Sequence, residues 1–108
     1  MKKIDTEKLV VCIERCFNLS MDGRLSQARR SEMLALGKRL RGSLINHLTA
    51  TFPDDLKQVD DANKQLQEVN KTLADANAAI NKIADTVKEI NKLVTVLDKV
   101  LKFAANFL

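Results

Sequence analysis

From residue 59 onward an apolar side chain recurs at every seventh position: Val59, Leu66, Leu73, Ile80, Val87, Val94, Leu101 and Leu108. Three residues after each comes a second apolar position: Ala62, Val69, Ala76, Ile83, Ile90, Leu97 and Ala104. An unbroken heptad seam of this length is the pattern of a coiled-coil helix and cannot be read as a strand. No Gly or Pro interrupts residues 54–108. The pattern therefore predicts one continuous helix over that range, about 80 Å long at about 1.5 Å per residue.

The flanks of the seam change along its length. Gln58, Gln65 and Thr72 line one side of the first half, and Asn63, Asn70 and Asn77 line the other. With Asn91, these asparagines share the position after each partner residue, where a polar ladder can fix register. Toward the C-terminus, Leu93, Val100 and Phe107 turn one flank apolar, and Val96 and Phe103 add a further row. One partner helix satisfies the first half, whereas the last turns need at least two.

Two shorter helices precede the seam. The first runs over about 6–19, with Asp5 or Thr6 as N-cap and Leu9, Val10, Ile13, Cys16 and Phe17 as a broad apolar face. Ser20-Met21-Asp22-Gly23 ends it in a turn. The second runs over about 26–51 behind the stripe Met33, Leu36, Leu40, Leu44 and Leu48. Pro53 ends it, because the residue before a proline is pushed out of the helical region, and Asp54 and Asp55 suit the positive end of a new helix. The expected architecture is all-α: an elongated antiparallel hairpin of coiled-coil type with a long C-terminal helix. The first two helices lie in line against the third, and the thin hairpin assembles into a multi-helix bundle. The competing layout folds the first helix back beside the second and leaves the apolar C-terminal third projecting.

Composition sharpens this picture. The chain has 108 residues, read as one helical domain over 1–108, with no Trp or Tyr, one Pro and three Gly. A sandwich or barrel would need more turn residues than that. The net charge of +4 is unevenly placed. All six arginines lie in residues 1–52, which carry a net of +5, while residues 53–108 carry −1. A basic segment raises an anionic partner. Arg30, Lys38 and Arg41 fall on one flank of the second helix's stripe and are the candidate contacts; Arg29 and Arg39 fall on the other. No aromatic interleaves them to stack on bases.

Little in the chain can do covalent chemistry. Cys12, Cys16 and His47 are the only soft metal ligands, and His47 has no evident base or nucleophile beside it. Two cysteines four residues apart on a helix are poorly aimed for a disulfide, so they read as reduced core thiols. Asp5, Glu7 and Lys8 interrupt any apolar run after Met1-Lys2-Lys3, so no secretory signal is expected. Cytoplasmic placement, no catalytic residue, no metal and no cofactor are the corresponding expectations. The segment 93–108 is apolar in eleven of sixteen places but too short to span a membrane, which takes about 20 residues.

The function expected is thus a non-enzymatic oligomerisation or protein-interaction module, a homo-oligomer acting through its coiled-coil surface. Its interface residues would be Leu66, Leu73, Ile80, Ile83, Val87, Ile90, Val94, Leu97 and Leu101. Two rival classes are less favoured: a nucleic-acid-binding protein using Arg30, Lys38 and Arg41, and a membrane-active protein using the C-terminal segment.

Overall fold

Asp5 opens α1 (Thr6–Ser20) by accepting a hydrogen bond from the Lys8 amide at 3.1 Å. Ser26 opens α2 (Gln27–His47) in the same way, through the Arg29 amide at 3.2 Å. Between them Asp22 holds the Arg24 guanidinium, which in turn donates to the Asn77 carbonyl at 2.8 Å. The computed structural model describes residues 1–105 and continues with α3 (Lys57–Ala78) and α4 (Ile83–Val100). Short 3₁₀ turns follow α3 at Ile80–Lys82 and α4 at Leu101–Phe103. Leu108 of the heptad and Phe107 of its flank lie outside the described residues.

The fold is all-α, as the periodicity implies, but the long third helix is two helices. Ala79 leaves the helical region (φ −132°, ψ 87°) and α4 turns back along α3. A heptad reports which face is apolar, not whether the axis is continuous, and Leu73, Ile80 and Val87 keep their phase across the turn. Folding back lets Ile83, Ile90 and Leu97 bury against α3 of the same chain. The Asn77 carbonyl, left over at the end of α3, is satisfied by Arg24.

The in-line layout of the first two helices is likewise corrected: α1 lies antiparallel beside α2. The result is two antiparallel hairpins side by side, about 43 × 20 × 19 Å, in place of an 80 Å rod. Around the bundle the order is α1, α2, α4, α3. Like-directed helices are neighbours across the seam between hairpins. Asn63 accepts from the Asp5 amide at 2.8 Å, and Asn70 donates to the Lys8 carbonyl at 2.9 Å. The asparagine ladder thus sets the register of α1 on α3. On the other side, Ser43 donates to Asp98 at 3.2 Å and His47 bonds the Leu97 carbonyl at 2.9 Å, placing α2 along α4.

The core runs the length of this bundle: Leu9, Leu40, Leu66, Leu73, Ile90 and Leu97 are all fully buried. Each such side chain contributes roughly 2 kcal/mol of transfer free energy. The α2–α3 connector closes one end. Phe52, also fully buried, exchanges two 2.8 Å backbone hydrogen bonds with Lys2, and the Ala105 amide donates to the Thr51 carbonyl at 2.8 Å. Drawing Phe52 inward ends α2 at His47, four residues short of the sequence expectation.

Candidate functional site

The outer side of α2 is the least ordinary surface of the molecule. Arg30, Leu34, Lys38, Arg41, Ile45 and Leu48 recur at spacings of three and four, so they share one face of the helix. That face points away from the buried Met33, Leu36, Leu40 and His47. Leu34 is 41% exposed, Ile45 65% and Leu48 51%. Lys38 and Arg41 are exposed among them, and Arg30 is half-buried, with its Nε shielded from water and without a hydrogen-bond partner. The three basic residues singled out from the sequence therefore do come together. What the sequence reading missed is that apolar side chains interleave them. The signal was present in the 34, 38, 41, 45, 48 spacing, hidden because the helix was read for its core stripe alone; Leu48, assigned to that stripe, is corrected to the outer face, since α2 ends at His47, whose buried ring takes the inward place.

Phe17 fixes how α1 sits beside this face. Its ring lies over Gly37, where a Cβ would stand 2.7 Å from the ring's Cε1, so only glycine allows this approach. The Arg41 guanidinium lies 5.7 Å from the centre of the same ring. With Phe17 level with Gly37 and Arg41, the antiparallel register brings Glu14 level with 40–44, Val10 with 44–48 and Met21 with 33–37. Val10, Val11 and Met21 are exposed, as are Glu7 and Glu14. The outer surface of the hairpin is thus acidic and apolar on α1, basic and apolar on α2.

The heptad residues expected to form an interface lie elsewhere. Leu66, Leu73, Ile83, Val87, Ile90, Val94, Leu97 and Leu101 are buried within this single chain, and Ile80 is half-buried. Folding α4 back against α3 supplies the cover that a second chain was expected to give. The apolar C-terminal segment follows suit, with Leu93, Val100 and Ala104 buried. Part of its further row stays open. Val96 links two depressions along the α3–α4 groove, of about 460 and 320 Å³, rimmed by Lys92, Lys99, Lys102 and amide side chains. Neither contains a carboxylate, a thiol or an imidazole.

His47 is interior. Its Nε2–H donates to the Leu97 carbonyl in the neutral form, its Nδ1 has no partner, and Phe52 packs at 6.0 Å. Burial lowers its pKa from the ordinary 6.5, against the weaker upward pull of the Leu97 hydrogen bond and Asp98. Cys12 and Cys16 are free and buried. The hydrogen bond with Cys12, reinforced by burial, raises the pKa of Cys16 far above the ordinary thiol value, so it stays protonated. Among the described residues no three His, Cys, Asp or Glu side chains are grouped to hold a metal ion, and no helix is long and apolar enough to cross a membrane. No family model, curated protein or solved structure matches the chain.

Proposed function

We propose that this chain is a non-enzymatic protein-interaction module that works by presenting the outer face of the α1–α2 hairpin. One observation carries the reading. Of the large hydrophobic side chains exposed among the described residues, Val10, Val11, Met21, Leu34, Ile45 and Leu48 belong to this hairpin, with only Met1 and Phe103 elsewhere. Scattered exposed hydrophobics are ordinary, but Leu34, Ile45 and Leu48 share one face of α2, Val10 and Met21 share one of α1, and apolar residues so grouped and interleaved with charge are the composition of a binding surface. The dispersal of the titratable groups supports a binding role over a catalytic one: the imidazole and both thiols face the interior, away from either groove.

The common face of Arg30, Lys38 and Arg41 also favours a second reading, phosphate contacts to nucleic acid. Leu34, Ile45 and Leu48 weigh against it, because a phosphate backbone offers them nothing to bury against. A salt titration separates the two, since phosphate binding collapses as salt rises and apolar docking does not.

The test is position-specific cross-linking in cells. A photoactivatable side chain at position 45 is expected to give a discrete protein adduct, and the same group at position 67, exposed on α3, is not. Equal labelling from both positions, or none from position 45, overturns the reading.

A further inference from the structure

We infer that the occupant of the α1–α2 face is a second copy of this chain, docked in a two-fold dimer with α1 of each copy lying on α2 of the other. The inference rests on the interaction reading above and adds its partner.

The charge pattern selects both the partner and the geometry. The face carries Glu7 and Glu14 on α1 against Arg30, Lys38 and Arg41 on α2, so it is complementary to itself rather than to a uniformly charged surface. Neither Glu14 nor Arg41 makes an ion pair within the described residues, and both are exposed, Arg41 while resting against the Phe17 ring. With the helices of the two copies aligned, a two-fold axis lies either across them or along them. An axis across the helices at the level of Glu14 and Arg41 stacks each helix on its own copy. Glu14 then meets Glu14 and Arg41 meets Arg41, a double repulsion at the centre. An axis along the helices keeps every residue at its own height and exchanges the two helices. Because Glu14 is level with 40–44, it then faces Arg41 of the other copy, twice over. Val10 comes opposite Ile45 and Met21 opposite Leu34, apolar against apolar. One register thus pairs Glu14 with Arg41 twice and sets the hydrophobic residues against each other, while Glu7, Arg30 and Lys38 stay at its edges. The same surface offered to a lipid headgroup layer would bury Lys38 and Arg41 in the middle of the apolar stripe, where an interfacial helix keeps its bases on the polar side.

Sedimentation equilibrium of the full chain, reduced, tests this. The expected result is a dimer in the wild type. E14R and R41E should each weaken it by at least about tenfold, since each sets like charges face to face. The double variant E14R/R41E, and an equal mixture of the two single variants, should both recover dimerisation, because either combination restores opposite charges at every contact. I45D should abolish it, with circular dichroism checking that the helices survive. All three side chains are exposed, so folding is not at stake. A wild type that stays monomeric to about 1 mM overturns the inference. So does a dimer indifferent to E14R and R41E. If the pure chain is monomeric yet position 45 still cross-links to a different protein in cells, the second copy falls and the interaction reading stands. If neither occurs, both fall.

Discussion

The two hairpins bury similar seams but treat their outsides differently. In α3–α4 the heptad is strict, and Phe103, in the turn after α4, is the one large hydrophobic exposed among its described residues. In α1–α2 the inward stripe is equally well buried, yet six large hydrophobics remain outside. A regular seam consumes its apolar residues in the fold. An irregular one holds more than the fold can use, and the excess marks a surface. The same contrast appears in the charges, with lysine alone on the regular half and every arginine on the other.

The sharpest way to break the comparison is to remove one apolar side chain from each setting. Leu97→Ala, from the common core, is expected to cost about 3 kcal/mol in urea denaturation, while Ile45→Ala on the outer face should stay within about 0.5 kcal/mol. A large loss at position 45 in the monomeric protein would mean that the outer stripe belongs to the fold after all. Next comes the close approach of the first hairpin. Gly37→Leu should cost about 2 kcal/mol by displacing the Phe17 ring, and adding Phe17→Ala should recover part of that loss. A smaller effect joins the hairpins through His47. Its folded pKa lies below the ordinary 6.5, so the unfolded chain binds the proton more readily. The stability this buried neutral ring allows is complete above pH 6.5 and declines as pH falls below it. His47→Gln, which keeps a donor for the Leu97 carbonyl, should flatten that decline in denaturation series at several pH values. The smallest expected change is a gain. Gly42 lies on the exposed side of α2 with open space around its Cβ position, so Gly42→Ala should add up to about 1 kcal/mol through helix propensity. Equal behaviour of Gly37 and Gly42 would remove the case for close packing in the first hairpin.

Helix type and the identity of most buried residues were legible in the sequence, because burial on a helix leaves a three-to-four spacing that no strand can mimic. The turn at Ala79 was not. No Gly or Pro marks it, three alanines at 76, 78 and 79 offset the weak helix formers Asn77 and Asn81, and the heptad keeps phase through Ile80; burial of Ile83, Ile90 and Leu97 accompanies the fold-back. The consequence for function was large. With the helix unbroken, Leu73 and Val87 belonged to an interface; with it folded, they are interior. The basic triad was legible as a shared flank, since wheel geometry depends only on number. Its apolar neighbours Leu34, Ile45 and Leu48 became meaningful only once α1 was seen lying beside α2 and leaving them uncovered.

The connector that draws Phe52 inward does more than shut one end of the bundle. Lys2 is held to Phe52, and Ala105 to Thr51. In topological terms the chain is therefore a figure of eight, crossing itself at two adjacent residues, with one hairpin in each loop. Each loop is closed where its hairpin would otherwise gape, and each closure carries its own entropic cost, which grows only slowly with loop length. A cut at the tip of either loop would leave both halves still tied there. Loosening the crossing would open both loops at once, so residues 51–52 couple the ends of the two hairpins that the shared core joins along their length.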